Sequence, residues 1–282
     1  MPRPLRSSAG DVRPAEPSQE KGTPLPLYVG TSGWQYRHWK ERFYPGRMAQ
    51  GAWLEHYAER FQTVEVNNAF YRLPEPGTFA AWAQRTPADF IVGVKASRYL
   101  THIKRLRESQ EPVERFLSHA SHLGPKLGPV LLQLPPTFKR DAGLLNETLS
   151  CFGRRARIAV EFRHPSWYTD EIHSILAGHD AALCLADRDS RCITPLWRTA
   201  GWGYVRWHSG QAAPAPCYGR TAMRSWAERI AGLWNAEEDV FAYFNNDPQA
   251  CALRDARVFA HAAQQAGLRP TRVPAPRDVR VG

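Results

Sequence analysis

No apolar run in the 282 residues approaches the ~18 that a membrane-spanning helix needs. The opening, MPRPLRSSAG, carries positive charge with no apolar segment behind it, so it does not read as a secretory leader. A soluble, cytoplasmic chain with no membrane partner is the expectation. Cysteine is scarce and odd in number: Cys151, Cys184, Cys192, Cys217 and Cys251 include no C-x-x-C pair. This argues against a disulfide framework or a structural zinc site, and the five read as free thiols in a reducing compartment. The glycine signatures G-x-G-x-x-G after the first strand and G-x-x-x-x-G-K-[ST] are missing, as is H-E-x-x-H. No organic cofactor is indicated.

What is present is an ordinary globular balance, 43% apolar and 23% charged, which excludes a disordered, collagen-like or fibrous protein. Lys and Arg number 37 against 27 Asp and Glu, a net charge of +10 that suits anionic ligands, nucleic acid included. Residues 1–26 are rich in proline without apolar period and read as a disordered tail; 269–282 read as a second, basic tail. Between them, 27–268 alternates. Short β-rich runs at 27–32, 63–68, 90–96, 129–134, 157–163, 181–187, 203–208 and 239–245 start about 20–40 residues apart, close to one βα unit. Helical stripes intervene: Trp53, Tyr57 and Phe61; Val113, Phe116, Leu117, Ala120 and Leu123; Ile172, Ile175 and Leu176 behind a capping Thr169; Trp226, Ile230 and Leu233; and Leu253, Ala256 and Phe259 behind Pro248. Only 188–202 shows no clear helix. Eight such units predict an α/β protein, a single-domain (β/α)8 TIM-type barrel, over a doubly wound open sheet.

Side chains alternate across a strand. Most runs divide into an apolar face and a second face that turns polar toward its C-terminal end: Glu65 and Asn67, Lys95, Gln133, Glu161 and Arg163, Arg206 and His208, then Asn245. Strand six ends in Asp187, on the face of Leu183 and Leu185. In a barrel these ends converge on the C-terminal rim, where active sites lie. Mutual neutralisation of the charges competes with a ligand site. Trp34, Tyr36, Trp39, Phe70, Tyr71, Trp167, Tyr168 and Tyr218 fall in the loops beyond, where aromatics stack on sugars or bases or simply cover the barrel top.

An enzyme with Glu161 and Glu65 as acid/base pair and His208 as proton shuttle fits these residue types. Arg163, Arg206 and Lys95 would hold a phosphate or carboxylate; Asn67, Asn245 and Asn246 would meet hydroxyls; Trp34, Tyr71, Gln133, Asp187 and Tyr218 would complete the substrate wall. Lys95 facing a carboxylate is a protonated partner rather than a Schiff-base former. Nucleic-acid binding or phosphodiester chemistry is the alternative, resting on Arg98, Lys104, Arg105 and Arg107 and on Arg154, Arg155 and Arg157. A divalent metal held by Glu65, Glu161, Asp187 and His208 is a third reading, without local spacing to support it. Oligomeric state is not legible.

The segments GTSGWQYRHWKERFYP (30–45), VEVNNAFYRLP (64–74), VKASRYLTHIKRL (94–106), LGPVLLQLPPTF (127–138), VEFRHPSW (160–167), YVRWHSG (204–210) and FAYFNNDPQACALRDA (241–256) resemble, in order, the motifs of the YecE-like family. That family usually has glycine directly after the seventh-strand His; here Ser209 precedes Gly210. The resemblance covers about 27–266 and implies a closed parallel barrel. It brings no established catalytic residues, because the family's function is not known.

Overall fold

The computed structural model describes residues 27–234 and 237–281; the proline-rich segment 1–26 lies outside the described residues. Eight parallel strands close into a ring: β1 (Leu27–Ser32), β2 (Thr63–Val66), β3 (Ile91–Lys95), β4 (Leu127–Gln133), β5 (Ile158–Glu161), β6 (Ala182–Arg188), β7 (Gly203–Trp207) and β8 (Val240–Phe244). Each pairs with its successor, and Leu27 beside Val240 closes the circle. This is the (β/α)8 barrel that the spacing predicts, with strand ends shifted by at most two residues.

The helices are α1 (Trp53–Arg60), the single turn α2 (Asn68–Tyr71), α3 (Pro76–Gln84), α4 (Gln110–Ala120), α5 (Ala142–Phe152), α6 (Asp170–Gly178), α7 (Arg220–Leu233) and α8 (Cys251–Gln265). Their ends follow local chemistry. The Asp141 carboxylate accepts from Leu144 N at the start of α5, and Thr169 Oγ1 accepts from Ile172 N at the start of α6. After β6 there is no helix; Arg191–Cys192 folds back antiparallel on the strand end.

Two apolar layers result from the alternation. Outward residues such as Val64, Val92, Leu132, Val160, Leu183 and Val205 pack under the helices. Inward residues fill the barrel: Tyr28 stacks on Phe241 at 4.6 Å near the N-terminal end, and Leu131, Ala159, Ala182, Cys184, Tyr204 and Tyr243 lie above. Gly93 makes room here, since a Cβ would sit 2.9 Å from Tyr243 Oη, whose hydroxyl pairs with Thr63 Oγ1 at 2.8 Å.

Two expectations are overturned. Cys217 and Cys251 form a disulfide across 34 residues of sequence, leaving Cys151, Cys184 and Cys192 free. The strap between β7 and α7 returns over the start of α8, and no C-x-x-C spacing announces that meeting. The C-terminal segment is not loose either. Leu27 N donates to Arg269 O at 2.9 Å, Thr271 N to Leu27 O at 2.8 Å, and Arg280 N to Arg42 O at 2.8 Å, so 269–281 is laid along the barrel. No helix among the described residues is long and apolar enough to cross a membrane.

Candidate functional site

Arg206 is the hub of the barrel's polar end. Its side chain is 1% exposed and spans the interior from β7. Nη2 donates to Glu65 Oε1 at 2.8 Å and Nη1 to Glu161 Oε2 at 2.6 Å. Tyr204, one inward position below, donates its hydroxyl to Glu65 Oε2. A buried guanidinium is tolerated only when such partners compensate for its lost hydration. Burial works against its charge, and the two carboxylates more than offset that, so Arg206 stays protonated.

Glu161 is surrounded above this hub. It accepts from Gln133 Nε2 at 2.9 Å, Arg163 Nε at 2.8 Å and His208 Nε2 at 3.0 Å. Burial favours its neutral form, but Arg206, His208 and Arg163 together hold the carboxyl well below the usual range. It is therefore held as the carboxylate. His208 is pushed down by burial, with Glu161 pulling the other way. Its Nδ1 lies 3.3 Å from Asn245 Nδ2. These contacts fit a neutral ring with Nε2–H donating to Glu161 and Nδ1 accepting.

Lys95 differs from the expectation that it faces a carboxylate. Its Nζ donates to Gln133 Oε1 at 2.8 Å and sits 4.0 Å over the Phe70 ring. No ion pair joins it to a carboxylate among the described residues. Burial and the neighbouring Arg206 lower its pKa to about 8. Beyond Phe70, His102 packs edge-on at 4.9 Å; burial and Lys95 bring its pKa to about 4.

Glu65, Asn67, Lys95, Gln133, Glu161, Arg163, Arg206, His208 and Asn245 thus share the C-terminal mouth. Five other residues do not join them. Asp187 faces the helices, accepting from Tyr218 OH at 2.9 Å and Trp226 Nε1 at 2.8 Å. The alternation itself required this, since Leu183 and Leu185 on the same face are outward. Tyr218 is fully buried in that contact, and Asn246 is buried against Asp255 and Pro216 O. Trp34 is buried edge-on to Trp82 at 5.5 Å. Tyr71 is 74% exposed, its ring edge-on to Phe70 at 5.1 Å. Ser32 and Tyr204 were not selected from sequence, although the same alternation turns both inward.

The four residues read as metal ligands do not converge. Asp187 points away, and the Arg206 cation occupies the space between Glu65 and Glu161. No group of three or more His, Cys, Asp or Glu among the described residues is arranged to hold a metal ion. The two basic runs lie at opposite ends: Arg98, Lys104, Arg105 and Arg107 follow β3 at the mouth, whereas Arg154, Arg155 and Arg157 precede β5. The latter line a hollow of about 1010 Å3 at the N-terminal end, with Arg155 paired to Glu114 and Arg157 to Asp239.

Residues 28–278 match the family described as Protein of unknown function DUF72. The chain belongs to this family. It is 32% identical to the protein YecE of Escherichia coli over 143 residues, half of each chain, so it spans about half the length of that relative. It is 24% identical to YunF of Bacillus subtilis over 255 residues, covering 78% of this chain and 89% of YunF. The fold matches a DUF72 family protein from Thermotoga maritima with a TM-score of 0.74 at 25% identity, over 85% of this chain and 99% of that one. A DUF72 family protein from Enterococcus faecalis matches at 0.72 and 18% identity, over 88% and 98%. This DUF72 barrel shares its architecture with relatives whose function is not established.

Proposed function

We propose that this DUF72 barrel is an enzyme that holds a small anionic, ring-bearing substrate of the sugar-phosphate or nucleotide kind at its C-terminal mouth. The observation that carries this reading is Lys95. Glu65 and Glu161 are balanced by Arg206 and Arg163, and the half-buried Lys95 adds a further cation that no carboxylate hydrogen-bonds. A buried charge without a counterion is costly unless a ligand supplies one. Arg163, whose Nε and Nη2 already meet Glu161 Oε1, offers its remaining Nη1, and Lys95 a point charge, to a phosphate or carboxylate. The Phe70 ring beneath Lys95 gives a flat apolar wall.

Proton transfer belongs to His208 rather than to the carboxylates, which are committed to Arg206. With Nε2–H on Glu161, the Nδ1 lone pair is the base, reached when the long Asn245 contact yields to substrate. Glu161 then stabilises the imidazolium that forms.

Thermal denaturation with a panel of sugar phosphates and mononucleotides tests this. One compound should raise the midpoint by about 5 °C at a hundredfold excess over its Kd. Arg163→Gln should abolish the shift; His208→Asn should keep the shift and lose turnover of that compound. No shift with any anion sinks the reading. A shift given only by a short oligonucleotide, and steeply salt-dependent, would favour nucleic-acid binding instead.

A further inference from the structure

Three buried polar atoms at this mouth have no hydrogen-bond partner: Ser32 Oγ, Asn67 Oδ1 and Arg206 Nε. A buried polar group without a partner is costly, so three at one end of the barrel call for partners there. Their placement follows from the fold. Ser32 ends β1 directly beside Glu65 in the strand register, and Asn67 follows the end of β2. Asn67 Nδ2 donates to the Ser32 carbonyl at 3.4 Å, and Tyr36 OH donates to the same carbonyl at 2.6 Å. Gly33 permits that return: its φ of +105° is open to glycine, and a Cβ would come within 3.0 Å of Tyr36 Oη. Ser32 is thus held by its backbone and buried, with only its hydroxyl uncommitted. In the same way both Nη atoms of Arg206 are engaged by carboxylates, and Nε is its nitrogen without a partner.

The chemistry of the three atoms selects the ligand group. The hydroxyl donates or accepts, the amide oxygen accepts and the guanidinium N–H donates. An anion placed among them would meet the Asn67 oxygen and the neighbouring Glu65 carboxylate. A hydroxyl, which both donates and accepts, satisfies them. Lys95 and Arg163, on the β3 and β5 side, supply the anion grip. We propose that Ser32 and Asn67, with Arg206 Nε, form a hydroxyl-recognising subsite, so that the substrate is a polyhydroxylated ring carrying a phosphate or carboxylate. This rests on the anion-binding reading of the mouth given above.

Calorimetric titration with two matched probes separates the claims: ribose 5-phosphate and cyclopentylmethyl phosphate, which keeps a five-membered ring and the phosphate but no hydroxyl. The folded protein should bind ribose 5-phosphate about tenfold tighter or more, the discrimination expected when polar groups of a site are left unpaired by the poorer ligand. Ser32→Ala should reduce the ratio to about threefold or less and leave cyclopentylmethyl phosphate unchanged, whereas Arg163→Gln should weaken both. Asn67→Ala carries the same expectation should Ser32→Ala fail to fold by circular dichroism. Equal affinity for the two probes in the unmodified protein overturns the subsite and leaves the anion site standing, as does a ratio that survives both alanine variants. Binding of neither probe removes the anion site, and the subsite with it.

Discussion

Lys95 shows how one charged side chain at this mouth costs the fold stability. Its pKa falls from an ordinary 10.5 to about 8 because burial and Arg206 disfavour its charge. Below pH 8 the lysine is charged in both the folded and unfolded chain, and the folded state bears the full penalty. As pH rises from 8 to 10.5 the unfolded chain holds more protons than the folded one, so the penalty is relieved. Lys95→Met should therefore stabilise the protein at pH 7 by up to about 3 kcal/mol, since each pKa unit is about 1.4 kcal/mol, with the gain vanishing near pH 10.5. Urea titrations of both proteins across that range check it; a constant difference would refute the burial argument. Lys95 was legible as an inward polar residue at a strand end. Its missing counterion was not, because the neighbours that Lys95 meets across the barrel depend on strand tilt and side-chain reach rather than on sequence spacing. Ser32 shows the opposite case, since alternation along β1 from Tyr28 through Gly30 leads to it directly.

At the scale of elements, period-two alternation located the eight strands and most of the polar mouth, and the helical stripes located the covering layer. Its one misassignment to the mouth along a strand, Asp187, came from setting the pattern aside: a carboxylate among outward leucines belongs to the wall. There it anchors Tyr218 and Trp226, and Tyr218 N in turn donates to Asp255 at 2.7 Å. Burial lifts Asp255 to about 6. These contacts and the Cys217–Cys251 disulfide fix the strap that follows His208 to the start of α8, which follows Asn245. Sequence spacing cannot announce such a pairing, because it depends on where two loops meet in space. Closing 34 residues of chain implies a contribution of about 3–4 kcal/mol by restricting the unfolded state. Cys217→Ser should lower stability by that order, as should reduction with a dithiol. An unchanged unfolding midpoint under reducing conditions would show that the link contributes nothing to the fold.

For the whole molecule, a closed ring has no edge strand, and the last segment of the chain reinforces the seam between its first and last strands. Leu27, Val29 and Thr271 are joined by backbone and hydroxyl hydrogen bonds, with Val29 N donating to Thr271 Oγ1 at 3.1 Å. Arg272 reaches from the same segment to Asp89 and to the Ala58 carbonyl. Proline-rich composition concealed this from the sequence: it marks a segment without helix or strand period, and such a segment is extended whether it is loose or pinned. Removing 269–282 deletes three hydrogen bonds to β1, each contributing about 1 kcal/mol, and exposes the strand's N-terminal end. A loss of about 3 kcal/mol lowers the melting temperature of a chain this size by roughly 5 °C. Because β1 also carries Ser32, the truncated chain should lose hydroxyl discrimination in step with protection of β1 amides from hydrogen exchange. Wild-type melting and unaltered exchange in β1 would mean that the ring holds its seam without this strap.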